Sequence, residues 1–188
     1  MRPDEVWGAR WRDCAHPLSH RFMETAAAKG TLVVLAADLA TTEELVRLIH
    51  QVGPHIAALK THVDMVEDFS MESWHEVVAA AHTHDLMLFE DRKFADIGKI
   101  SKTQMGGIYD IRSWADIVTA HRVSGPDIVD GIAAGWDEVQ RIGGVFLLAQ
   151  MSSRGNLLSE GYTDATIATG AASPHVLGYI GNGSSPEE

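Results

Sequence analysis

The chain has 188 residues, 45% hydrophobic and 22% charged, with a formal net charge of -11. That balance is typical of a globular protein with apolar material for one sizeable core, and it excludes the clustered Lys and Arg that a nucleic-acid backbone demands. Cys14 is the only cysteine, so no intramolecular disulfide forms and a reducing, cytoplasmic setting is expected.

Along the first 17 residues, Trp7 and Trp11 alternate with Arg2, Arg10, Arg12 and Asp13, which is too polar for a signal peptide and is read as a helical extension. No later apolar stretch approaches the roughly 20 residues needed to cross a bilayer, so no membrane partner is expected. The first continuous apolar run is 31–38, ending in Asp38. Helical spacing follows over 42–52, where Leu45, Leu48, Ile49 and Val52 share a face, Thr41 or Thr42 caps, and Glu43 and Glu44 fill the first turn.

The second run, 56–62, carries Lys60 and His62 near its end. A second helix over 70–82 places Trp74, Val77, Val78 and Ala81 on one face. Runs at 86–93, 114–121, 144–151 and 175–181 complete a set of six, and the tail 181–188, GNGSSPEE, reads as unstructured. Each run is continuous rather than alternating, as in strands buried on both faces of a parallel sheet. The expectation is one α/β domain over 1–180, an incomplete barrel of about six β/α units. A doubly wound sheet stays open at this point, although AADL at 36–39 lacks the G-x-G-x-x-G of its phosphate-binding versions.

Polar residues collect where the runs end: Asp38; Lys60 and His62; Asp91, Lys93 and Asp96; His121; Ser152 and Ser153. In parallel α/β folds the carboxyl ends of strands are where ligands bind. A side-chain period of two puts Asp91 and Lys93 on one side of their strand, and likewise Lys60 and His62. Inward charges of this kind are costly to desolvate unless paired or used. The plainer alternatives are an ion-pair network on a solvated rim and core histidines at 62 and 121. His82 and His84 point in different directions, which disfavours a metal, and Ser152 lacks the His and acid partners of a serine nucleophile.

The segment FEDRKFADIG at 89–98, with Asp91, Lys93 and Asp96 spaced as D-x-K-x-x-D, resembles the signature of the orotidine 5'-monophosphate decarboxylases, particularly their eukaryotic-type branch. LAAD at 35–38, LKTHVD at 59–64, SWAD at 113–116, AQMSS at 149–153 and GYT at 161–163 agree in order. The resemblance implies a (β/α)8 TIM barrel, a homodimer with shared active sites, orotidine 5'-monophosphate as substrate, UMP as product, and neither cofactor nor metal.

Carried over residue by residue, it makes Lys93 the acid that protonates C6, puts Asp91 beside the substrate carboxylate and Lys60 on the charged array and a ribose hydroxyl, and assigns Asp38 to the ribose. His62 joins the substrate-binding set, Ser152 meets the pyrimidine edge, and Asp96 works in the partner's site. Magnesium-dependent sugar-phosphate lyases share the bare D-x-K-x-x-D and are the rival, with a non-catalytic partial barrel as a second. Lys99 and Ile100 stand where the family usually has Asn-Thr, removing a hydroxyl expected at the ribose. The family's seventh and eighth strands, with their phosphate-gripping Gln, Tyr and Arg, would fall after Glu188, and an incomplete barrel without them is expected to lack activity.

Overall fold

The computed structural model describes residues 1–183, so the tail reading lies outside the described residues from 184 onward. Two helices, α1 (Pro3–Trp7) and α2 (Pro17–Lys29), precede the sheet. Then come β1 (Val34–Ala36), α3 (Thr42–Val52), β2 (Ala58–Thr61), α4 (Met71–Thr83) and β3 (Met87–Phe94). The chain continues through α5 (Gly98–Met105), α6 (Ile111–Trp114), β4 (Ile117–Ala120), α7 (Asp127–Asp137), β5 (Gly144–Leu148), α8 (Glu160–Ala172) and β6 (Val176–Ile180). The six strands form one parallel sheet in sequential order, with β1 and β6 at its edges. Sequential order with helical crossovers is the winding of a (β/α) barrel, not of a doubly wound sheet, whose strand order reverses.

The helices start where capping chemistry begins them. Thr41, not Thr42, caps α3 by accepting the Glu44 N–H at 3.3 Å, and Ser70 caps α4 by accepting that of Ser73 at 3.0 Å. All strands but β3 are shorter than the apolar runs that announce them, and 114–116, expected in a strand, lies before β4. Trp114 closes α6 and packs edge-on to Trp74 with ring centroids 5.0 Å apart, so its apolar character belongs to the helix layer.

Successive side chains face opposite sides of the sheet. One side, with Leu59, Leu88, Val118, Val145 and Leu147, packs under the helices against Leu45, Ile49, Trp74, Val77, Ile132 and Trp136. The other carries Ala58, Met87, Phe89 and Ile117, and α2 lies on it through Leu18 and Phe22. Two residues further along this second face stand Lys60, Asp91 and Thr119. Each strand is therefore apolar where α2 covers it and polar at its carboxyl end.

The amino end of the sheet is fastened by charge. Lys29 at the end of α2 donates to the carbonyls of Gly53, Ile56 and His84. Buried Asp116 accepts from Arg141 at 3.0 Å and from the Leu88 N–H at 3.0 Å, with Arg21 at 3.3 Å. No helix among the described residues is long and apolar enough to cross a membrane.

Candidate active site

Five of the expected residues meet at the carboxyl ends of β1 to β3. The Asp91 carboxylate lies 2.9 Å from Lys60 Nζ and 2.8 Å from Lys93 Nζ, both on Oδ2, and the His62 Nε2 approaches the same oxygen at 3.3 Å. His62 Nδ1 is 2.8 Å from Asp38 Oδ1, which brings Asp38 in as the outer member. Asp91's other oxygen accepts the Thr119 hydroxyl at 2.8 Å. Burial pushes the Asp91 carboxyl up, but the bonds from Lys93, Lys60 and Thr119 outweigh it and hold the pKa down at about 2. His121, half-buried after β4, is lowered first by burial and then by the Lys93 charge.

Asp91 and Lys93 do not meet through a regular strand. Pairing between β3 and β4 shifts between Glu90 and Phe94, and Lys93 has a left-handed backbone at φ 52°. Asp91 and Lys93 thus meet on one side across a bulge rather than by the regular alternation of a strand.

Asp96 and Ser152 stand apart from this array. The Asp96 side chain accepts the Ile97 N–H at 2.7 Å, while its carbonyl is held by the hydroxyls of Ser101 and Ser124 at 3.0 and 2.9 Å. Lys93, Asp96 and Ser124 line an open cleft of 520 Å³. Ser152 is exposed on the loop after β5. Lys99 is exposed at the start of α5, next to the half-exposed Ile100. The glycine ending the 89–98 segment has a packing reason: a Cβ on Gly98 would lie 2.5 Å from the Asp127 carbonyl oxygen, so α5 and α7 touch backbone to backbone.

Two residues of the site escape a sequence reading. Thr119 is fully buried inside an apolar run, where a β-branched residue attracts no notice. Glu90 points away from Asp91 into the helix layer and is also fully buried. It accepts the Thr61 hydroxyl at 2.7 Å and the Val63 N–H at 3.1 Å, flanking His62 on both sides. Among the described residues, no group of three or more His, Cys, Asp and Glu is placed to hold a metal.

The sequence pattern of the orotidine 5'-phosphate decarboxylase / HUMPS family matches residues 31–188. The chain is 39% identical over 182 residues to an orotidine 5'-phosphate decarboxylase of Candida albicans, covering 94% of this chain and 67% of that protein. It is 41% identical over 154 residues to the enzyme of Cyberlindnera jadinii, covering 80% and 58%. In fold it is similar to the orotidine 5'-monophosphate decarboxylase of Methanocaldococcus jannaschii, with a TM-score of 0.60 at 19% identity over 73% of this chain and 64% of that one. The chain thus spans about two thirds of the length of the curated relatives it matches. With the charged array and the parallel barrel strands in agreement, the chain belongs to the orotidine 5'-phosphate decarboxylase / HUMPS family.

Proposed function

We propose that the protein, as part of a closed barrel, converts orotidine 5'-monophosphate to UMP in pyrimidine synthesis, without cofactor or metal. The observation that carries this reading is the state of Asp91: both oxygens are taken by donors of the chain itself, two ammoniums on one and a hydroxyl on the other.

In the reaction the bond between C6 and the carboxylate carbon breaks, carbon dioxide leaves, and the electron pair stays on C6. Lys93 is the proton donor to that carbon. An ammonium fixed beside C6 stabilises the developing negative charge more than the ground state, and only such differential binding accelerates the step. Asp91, anionic well below neutral pH, faces the substrate carboxylate and holds Lys93 in place. Lys60 continues the array toward a ribose hydroxyl, Asp38 and His62 bind the ribose, and Ser152 meets the pyrimidine edge.

Asp96 is assigned to the neighbouring site of a homodimer, which fits its exposed side chain, bonded to the Ile97 N–H rather than to the array. The single cysteine and the decarboxylase relatives favour a cytoplasmic setting. Following the ultraviolet absorbance of orotidine monophosphate, with and without a chelator, tests the reading. Turnover indifferent to the chelator is expected. Turnover of a sugar phosphate that stops when magnesium is removed would establish the lyase instead.

A further inference from the structure

Four residue steps on β3, from Glu90 to Phe94, are matched by two on β4, from Val118 to Ala120. Two residues of β3 are therefore in excess, and within the bulge the Lys93 N–H bonds to a side chain of the neighbouring strand. Thr119 lies opposite that bulge, and its Oγ1 accepts the Lys93 N–H at 2.8 Å. The same oxygen lies 2.8 Å from Asp91 Oδ1. A backbone amide can only donate and an ionised carboxylate can only accept, so the hydroxyl proton points to Asp91.

One buried side chain thus does two things at once. It supplies the hydrogen bond that accompanies the left-handed Lys93 backbone, a conformation a lysine adopts only when its surroundings hold it there. It also fixes the rotation of the Asp91 carboxylate, leaving Oδ2 for Lys60 and Lys93. We infer that Thr119 is a positioning residue for the Lys93 ammonium, acting through the Lys93 backbone and the Asp91 carboxylate without touching substrate. This inference rests on the decarboxylase reading for its consequence in turnover, but its geometric content can be tested without any reaction.

The variants are Thr119→Val, which keeps the shape and removes the hydroxyl, and Thr119→Ser, which restores it. In amide exchange by NMR, Thr119→Val should expose the Lys93 N–H to solvent on the order of tenfold faster or more, since its bonded state is lost. In carboxyl NMR titrations, the Asp91 midpoint should move up in Thr119→Val and return in Thr119→Ser. The other groups facing Asp91, which are Lys60, His62 and Lys93, with Asp38 and His121 behind them, are unchanged in both. In turnover of orotidine monophosphate, kcat should fall roughly 10- to 100-fold with little change in KM, the scale expected for a misplaced reacting group, and Thr119→Ser should recover most of it.

If Thr119→Val does not fold, Thr119→Ala set against Thr119→Ser isolates the hydroxyl with the methyl absent from both. Unchanged Lys93 exchange and Asp91 titration on loss of the hydroxyl would overturn the inference, as would a kcat that serine does not rescue. Turnover is read in the barrel closed by the seventh and eighth strands, and its absence there would strike the decarboxylase reading alone, leaving the two NMR measurements to decide whether Thr119 holds Lys93.

Discussion

Lys93 Nζ lies 2.8 Å from the same oxygen of Asp91 that Lys60 reaches at 2.9 Å, so one carboxylate holds two ammoniums side by side. Asp91→Asn would leave both without their counter-charge. The Asp91 pKa is depressed from 3.8 to about 2, so its contribution to stability is present above about pH 4 and lost as pH falls through 2. A cost on the order of 2 kcal/mol at neutral pH is expected, at about 1.4 kcal/mol per pKa unit. Melting temperatures of wild type and variant should converge as pH drops from 4 toward 2, and a gap independent of pH would contradict the assignment.

Glu90 gives the opposite sign. Burial pushes its carboxyl from 4.5 up to about 8, outweighing the bonds from Thr61 and Val63, with Asp64 and Arg92 as the nearby charges. The folded state keeps this proton where the unfolded chain releases it. Stability from this group is therefore full below about pH 4.5 and declines as pH rises to 8. Glu90→Gln cannot ionise, so its melting temperature should vary less than that of wild type between pH 5 and 8, as scanning calorimetry would record. An identical slope in the two proteins would show that Glu90 is ionised throughout.

At the other end of the sheet, Asp116→Asn tests a purely structural ion pair. Arg141 and Arg21 both face one Asp116 oxygen. Removing a partner from a fully buried pair costs about 3–5 kcal/mol. Both guanidiniums keep some access to water, so roughly 2–3 kcal/mol is expected here, read by urea denaturation. UMP affinity should be unaffected, because the charged array lies at the opposite ends of the strands.

The shared-site proposal predicts complementation. In the closed barrel, Lys93→Ala and Asp96→Asn should each be inactive alone, and mixing them should restore part of the turnover. A hybrid dimer has one site carrying both lesions and one carrying neither. A mixture that stays inactive although subunits demonstrably exchange would place Asp96 outside the partner's site.

Much of this arrangement is legible in the sequence, for identifiable reasons. Strands buried on both faces leave continuous apolar runs, and the array follows from Lys60, Asp91 and Lys93 lying at the ends of two of them. The boundaries are less legible because burial in the helix layer looks the same as burial in the sheet, as Trp114 and Ala115 demonstrate. Thr119 and Glu90 are missed for different reasons. A hydroxyl in a β-branched residue adds no polarity signal to its run, and a carboxylate next to Asp91 falls in the shadow of the motif it supports. The bulge at Lys93 has no signature at all, since no glycine marks its left-handed position.

Lys93 is the proton donor on which the proposed decarboxylation depends. In the barrel closed by the seventh and eighth strands, Lys93→Ala should lower the rate of orotidine monophosphate decarboxylation by on the order of 10³-fold or more, combining loss of a general acid with loss of charge stabilisation at C6. UMP affinity, measured by calorimetric titration, should change by less than about tenfold, because a group that acts only in the transition state contributes little to product binding. Near-normal turnover by the variant, with contaminating host enzyme excluded, would contradict the assignment of Lys93 as proton donor.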